Sequence, residues 1–159
     1  GPRTVQRILV TMGAGAAPPV RGLRPVAAVA PGVAAATGLS LQQLAAALVG
    51  QLRPAAVVCV DSLCSAEGQR LGRTVQFSDS GLYPAQADHT RHLTRDTLGV
   101  PVVAAGIPTL MQAQEGADLV VTPRALDSVI AHGAALLAGS VNRALQPRLT
   151  VQQLCWLTG

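Results

Sequence analysis

The spacing of hydrophobic residues along the chain alternates between two patterns. Short unbroken runs at residues 57–60 and 100–105 are bounded by turn-forming residues, which predicts strands buried on both faces. Between such runs, leucines recur every three to four residues from Leu41 to Leu52, which predicts an amphipathic helix. Strands that alternate with helices indicate an α/β fold with a mostly parallel sheet.

Polar residues and prolines mark where the helices begin and end. Ser40 with Gln43 three residues later forms a capping-box pattern, and Pro54 ends the helix that this pattern opens. Thr150 and Gln153 repeat the pattern and predict a final helix. Hydrophobic spacing also predicts a helix over residues 3–12 and a long helix that begins after residue 123 and ends before residue 147.

Shorter runs complete the predicted topology. Further strands are predicted at residues 25–30, 73–77 and 119–121, and a short helix at residues 109–114. The strands at 25–30 and 57–60, with the helix between them, predict a βαβ unit with a right-handed crossover. The chain of 159 residues shows no internal repeat and no linker. We therefore predict one α/β domain over residues 1–159, with three layers, α/β/α, around a mostly parallel sheet.

Composition limits the classes of partner. The basic side chains are 12 arginines, opposed by 8 acidic residues, for a net charge of +4. The arginines are spaced singly, without a basic run or an aromatic platform, which predicts a solvated surface with a mild preference for acidic partners and no direct contact with nucleic acid. No apolar run is long enough to predict a membrane span. Three cysteines without metal-ligand spacing favour a reducing, intracellular compartment.

Asp61 is the first candidate for chemistry. It directly follows the predicted strand at residues 57–60, and open α/β sheets bind their ligands at the carboxyl ends of such strands. An aspartate at a strand end is equally a helix N-cap, so position alone leaves both interpretations open.

Three nearby polar groups are further candidates. Asp79 ends the predicted strand at 73–77 and is either a partner of Asp61 or, as we favour, a turn-forming residue. Ser65 is interpreted as the cap of the following turn rather than as a nucleophile. Cys64 has no histidine placed by sequence to activate it, so it is predicted to be a small buried hydrophobe.

A histidine-rich segment is the candidate for a metal site. Asp88, His89 and His92 have the right side chains, but no predicted helix holds them together. We therefore predict that the protein binds no metal ion.

Three segments, at residues 60–65, 74–81 and 96–109, share their order and much of their sequence with one protease family. The first contains Asp-x-Leu-x-Ser, the second Thr-x-Gln-x-Ser-Asp-x-Gly, and the third Thr-Leu-Gly-Val-Pro-Val-x-Ala-x-Gly-x-Pro-Thr. With these motifs the chain resembles the germination (spore) proteases, endopeptidases that degrade small acid-soluble spore proteins.

The resemblance implies a fold related to the hydrogenase-maturation proteases and an aspartic-type endopeptidase without a cofactor. Asp61 matches the second of the family's two catalytic aspartates, and the first is expected upstream of Gly1, so this chain alone is expected to be inactive. Ser65 and Asp79 match family residues and are expected to support Asp61. The resemblance further implies synthesis as a zymogen, homo-oligomerisation and residence in the cytoplasm of the spore core.

The chain departs from the family's pattern at two places. Ala66 stands where the family has an arginine, and the family's glycine-rich loop is replaced at residues 84–89. A loop without glycines approaches a substrate backbone less freely. Two alternatives therefore stay open: an inactive, truncated or degenerate relative that keeps only the fold, and an α/β domain that binds a small ligand.

Overall fold

In the computed structural model of the chain, two compact units are present. The structure describes residues 1–14, 18, 20–32, 34–83, 92–112 and 120–159. One unit consists of residues 1–30 and 130–159 and is called the terminal unit below; the other consists of residues 31–129 and is called the central unit. A single domain over residues 1–159 stays a prediction.

Helices and strands alternate along the described part of the chain, as the hydrophobic pattern predicts. The helices are α1 (Pro2–Val5), α2 (Ala34–Thr37), α3 (Leu41–Leu52), α4 (Arg95–Leu98), α5 (Leu126–Leu145) and α6 (Val151–Thr158). The strands are β1 (Val57–Ser65), β2 (Gln76–Ser78), β3 (Val102–Gln112) and β4 (Val120–Val121). None of these helices is both long and apolar enough to span a bilayer.

One mixed sheet forms the middle of the central unit. The strand order is β1-β3-β2, and β4 pairs with the far end of β3. The long pairing between β1 and β3 is parallel, whereas the short pairings of β2 and β4 with β3 are antiparallel. The α/β fold with mostly parallel pairing is thereby confirmed, and its three-layer arrangement stays a prediction.

The core of the central unit covers one face of the sheet. Because side chains alternate between faces, Cys59 and Ala104, which are level in the register, lie on the same face. Both belong to the buried core, against which residues of α3, including Leu41 and Val49, are packed. On the other face Phe77 remains 64% exposed.

Local capping predictions are confirmed atom by atom. The Ser40 hydroxyl accepts from the backbone N–H of Gln43 at 3.1 Å, and the Gln43 side chain accepts from the backbone N–H of Ser40 at 2.9 Å. Thr150 and Gln153 make the same pair of bonds at the start of α6. Each helix therefore begins where its own sequence satisfies the first unpaired N–H groups.

Two sheet predictions are wrong in their boundaries. The strand predicted at 57–60 continues through Asp61 to Ser65, and the strand predicted at 100–105 continues to Gln112. Each strand supplies the backbone partners that let the other continue. Residues 109–112 are consequently strand rather than the predicted helix, and residues 113 and 114 lie outside the described residues.

The N-terminal predictions are also wrong, for a physical reason visible in the backbone bonds. The helix predicted over residues 3–12 ends at Val5. Beyond it, the backbone N–H groups of Thr11 and Met12 both donate to the carbonyl of Val26 at 3.0 Å. These long-range bonds replace further helical turns, and residues 25–30 form no regular strand, so the predicted βαβ unit is not formed.

Two side-chain amides, Asn142 on α5 and Gln146 directly after it, hold the N-terminal segment in the terminal unit. Asn142 accepts from the Leu9 N–H at 2.9 Å and donates to the Arg7 carbonyl at 2.8 Å. One helical turn later, Gln146 accepts from the Arg24 N–H at 3.0 Å and donates to the Arg24 carbonyl at 2.8 Å. We call this pair, Asn142 and Gln146, the amide clasp. Both amides are buried, and each accepts one hydrogen bond from a backbone N–H and donates one to a backbone carbonyl. The clasp therefore pairs backbone groups that a neighbouring strand would otherwise pair.

Gly106 is required by the close approach of β1 and β3. A Cβ atom at this position would lie 2.5 Å from the Asp61 carbonyl oxygen and 2.6 Å from Leu63 Cγ. We expect Gly106→Ala to force the two strands apart and to lower the free energy of unfolding by about 1–3 kcal/mol. Urea denaturation followed by circular dichroism measures this loss.

The matched control for this substitution is Gly50→Ala in α3. A Cβ atom there would meet nothing within 4 Å. Because alanine is the better helix former, we expect the control to raise the free energy of unfolding by about 0.5–1 kcal/mol. Equal effects of the two substitutions would contradict the close approach at Gly106.

Candidate active site

Asp61 lies inside β1 rather than at its end. It is level with Gly106 of β3, and Gly106 is in turn level with Gln76 of β2. Residues level in the register present their side chains on the same face, so Asp61 and Gln76 flank a glycine on the face that carries the core. Sequence analysis missed Gln76; its signal was the glycine within an apolar run, which marks a close backbone approach.

The carboxylate of Asp61 is partly exposed and is oriented by its own strand. Its Oδ1 atom accepts from the backbone N–H of Ser62 at 2.8 Å. The helix N-cap interpretation is therefore wrong, because Asp61 is followed by four more strand residues rather than by a helix. Asp61 is therefore a partly exposed carboxylate next to the core, and a hydrogen bond holds one of its two oxygens.

Cys59 lies two residues before Asp61 on the same face, and its pKa responds to the charge of Asp61. The pKa of the Cys59 thiol is raised from 9.0 to about 11. Burial is the larger cause, and the nearby charge of Asp61 is the second. A thiol with so high a pKa is almost wholly protonated at neutral pH, so Cys59 does not supply a nucleophile there.

The hydroxyl of Ser65 closes the turn that follows β1. Its Oγ atom donates to the Glu67 carbonyl at 3.0 Å and accepts from the Glu67 N–H at 3.1 Å. Ser65 is 7% exposed and lies beyond an irregularity in the register between Leu63 and Cys64. The group therefore anchors the end of β1, as its interpretation as a turn cap predicted.

Asp79 lies on the far side of β3 from Asp61. It directly follows β2, which is antiparallel to β3 and is separated from β1 by it. The register continues from Gln76 level with Gly106 to Ser78 level with Ala104, so the chain moves away from the row of Asp61 before it reaches Asp79. Asp79 is exposed beside a turn in which the hydroxyls of Ser78 and Ser80 are 2.7 Å apart. Its support of Asp61 stays a prediction.

The remaining candidates do not form a centre in the described residues. Cys64 was predicted to be buried and is exposed, because it follows the register irregularity near the end of β1. Asp88 and His89 lie outside the described residues, and the His92 ring meets Tyr83 edge-on at 5.1 Å between centroids. Within the part of the chain that the structure describes, no three His, Cys, Asp or Glu side chains are placed to hold a metal ion.

Comparison with known proteins gives one consistent result. The family profile described as "Germination protease" matches residues 1–115, which include Asp61, Gly106 and Gln76. A germination protease of Clostridium perfringens (strain SM101) is 28% identical over 97% of this chain, and one of Halalkalibacterium halodurans is 36% identical over 83% of it. A germination protease of Bacillus licheniformis is 32% identical over 92% of this chain.

The chain spans only part of these relatives. It covers 63% of the length of the Clostridium perfringens protein, 36% of the Halalkalibacterium halodurans protein and 40% of the Bacillus licheniformis protein. The similarity nevertheless runs through most of the chain and includes the strands that carry the candidate site. This chain belongs to the germination protease family.

Proposed function

We propose that this chain is the larger part of the catalytic domain of an endopeptidase that hydrolyses small acid-soluble spore proteins. The observation that carries the proposal is the family match over residues 1–115, which contains a partly exposed carboxylate, Asp61, at the rim of the sheet's core. We also propose, from the resemblance alone, that the protein is made as a zymogen, assembles as a homo-oligomer and acts in the spore core.

The proposed chemistry uses Asp61 and a second carboxylate that share one water molecule. Two close carboxylates repel each other, so one keeps a proton while the other is ionised. In this proposal the ionised group takes a proton from the attacking water, and the protonated group donates one to the leaving amine. In this proposal the second carboxylate is an aspartate upstream of Gly1.

The surroundings of Asp61 support the role of a positioned base. Because Oδ1 is engaged by the Ser62 N–H, Oδ2 is the atom proposed to hold the water. The turn closed by Ser65 fixes the end of the same strand and thereby supports this position. Asp79 is a weaker candidate for a residue that helps to position Asp61, because β2 runs away from the row of Asp61 before it reaches Asp79.

Cleavage of a purified small acid-soluble spore protein tests this function. The chain of 159 residues is assayed alone and with an upstream segment that supplies the proposed second aspartate, and products are identified by mass spectrometry. We expect specific cleavage by the extended protein and little or none by the shorter chain, because one carboxylate cannot serve as both acid and base. An extended, folded protein that cleaves nothing would contradict the proposal and would favour the inactive relative.

A further inference from the structure

The charges of the chain are segregated between its two units. The terminal unit contains no aspartate and no glutamate, whereas all eight acidic residues lie within residues 31–129. Half of the arginines belong to the terminal unit: Arg3, Arg7, Arg21, Arg24, Arg143 and Arg148. The net charge of +4 is therefore the sum of +6 on the terminal unit and −2 on the central unit.

Four of these arginines gather around the last turn of α5. The amide clasp fixes the backbone of Arg7 and of Arg24 to this turn, Arg143 is part of it, and Arg148 follows it closely. We call these four residues the arginine cluster. All four side chains are exposed, although their spacing along the sequence gave no sign that these residues are held near one helix end.

Three guanidinium groups of the cluster donate to backbone oxygens. Arg7 donates to the Arg3 carbonyl at 3.3 Å. Arg24 donates to the Ala144 carbonyl at 3.3 Å, and Arg143 donates to the Pro147 carbonyl at 2.9 Å. Favourable interaction with the carboxyl end of α5 explains part of this arrangement. Each guanidinium has five N–H donors, however, so a single bond to a carbonyl engages only a fraction of its capacity.

A half-open cleft adjoins the cluster. Its volume is about 430 Å³, and it is lined by residues 22–25 and 146–148, all of them in the terminal unit. The lining includes Arg24 and Arg148 and no acidic side chain. Oxyanions fit such a cleft, because guanidinium groups pair with them through two parallel hydrogen bonds.

We infer that the arginine cluster is a binding site for the phosphate backbone of nucleic acid, without sequence specificity. A protein partner would draw much of its affinity from aromatic anchors, and the lining of this cleft contains no aromatic side chain. The inference departs from the expectation of no nucleic-acid contact, which rested on spacing along the chain.

Fluorescence anisotropy with a labelled 20-base-pair duplex of mixed sequence tests the inference on the full chain of 159 residues. We expect binding at 50 mM salt that weakens about 100-fold at 200 mM salt, as four neutralised phosphates predict. The double variant Arg24→Gln, Arg148→Gln should neutralise about two fewer phosphates. Its affinity should therefore fall only roughly tenfold between 50 mM and 200 mM salt. The backbone bonds of Arg24 to Gln146 do not depend on its side chain, so the variant should keep its fold.

The matched control is Arg73→Gln, Arg95→Gln, which removes the same charge from exposed positions of the central unit. We expect the control to bind the duplex within about twofold of the original chain, because its arginines lie outside the cluster. Absence of binding at 50 mM salt, or an equal loss in both double variants, would overturn the inference. Stronger binding of poly-glutamate than of the duplex would overturn it in favour of an acidic protein partner. If the double variant unfolds, Arg148→Gln alone should still neutralise about one phosphate fewer, as read from the slope of log affinity against log salt concentration.

Discussion

Replacing Asp61 by asparagine in the protein extended upstream of Gly1 is expected to lower kcat/KM for a small acid-soluble spore protein by about 100- to 10,000-fold. Asparagine has nearly the same shape and keeps an oxygen that accepts from the Ser62 N–H, so β1 should be undisturbed. It cannot take a proton from water, and the loss should therefore fall on kcat more than on KM. Initial rates over a range of substrate concentrations measure both constants.

Glu67→Gln is the matched control, because it also removes one carboxylate from the segment around β1. Glu67 is exposed and pairs with Arg70 at 3.0 Å, an interaction that contributes little at a protein surface. We expect its kcat/KM to stay within about twofold of the original protein. Equal losses in both variants, or full activity of Asp61→Asn, would remove Asp61 from the mechanism.

The thiol of Cys59 provides a readout that does not depend on activity. The charge of Asp61 is the second cause of its high pKa, after burial. In Asp61→Asn the pKa of Cys59 should therefore fall below about 11 and remain above 9.0, because burial persists. Thiolate absorbance as a function of pH, with Cys64 and Cys155 replaced by serine, measures this value and confirms that the variant is folded.

Asn142→Leu is expected to lower the free energy of unfolding by about 2–4 kcal/mol. Leucine removes both partners that Asn142 provides and leaves the Leu9 N–H and the Arg7 carbonyl unpaired. Unpaired backbone groups in a buried place lose their hydration without compensation, and this penalty exceeds the gain from burying an apolar side chain. Urea denaturation of the chain monitored by circular dichroism measures the loss.

Gln152→Leu is the corresponding control on α6. Gln152 is exposed, so its replacement should change the free energy of unfolding by no more than about 0.5 kcal/mol. A loss below about 1 kcal/mol for Asn142→Leu would show that water satisfies the freed groups and that the amide clasp contributes little to stability.

The parts of the fold that sequence analysis predicted correctly depend on neighbouring residues. The start of α3 follows from Ser40 and Gln43, which satisfy each other within one turn. Strand ends failed because they depend on pairing between segments far apart: β1 continues past Asp61 only because β3 continues beside it. A local pattern contains no information about such a partner.

The candidate site was predicted in the same partial way. Asp61 was identified by its place after an apolar run and by resemblance, but Gln76 became a neighbour only through the antiparallel register of β2. The amide clasp was missed because Asn142 and Gln146 bind backbone groups more than 120 residues away along the chain. Their signal was four-residue spacing from Ala134 and Ala138, which are buried on the same helix, so that two amides continue a buried stripe.

The amide clasp also has a consequence for synthesis on the ribosome. Arg24 and its partner Gln146 are separated by 122 residues, so the backbone of Arg24 waits for those residues to be translated before it is paired. At roughly 5–20 residues per second this delay is on the order of 6–24 seconds. During that interval the segment around Arg24 has polar backbone groups without their final partners and is open to chaperones and proteases.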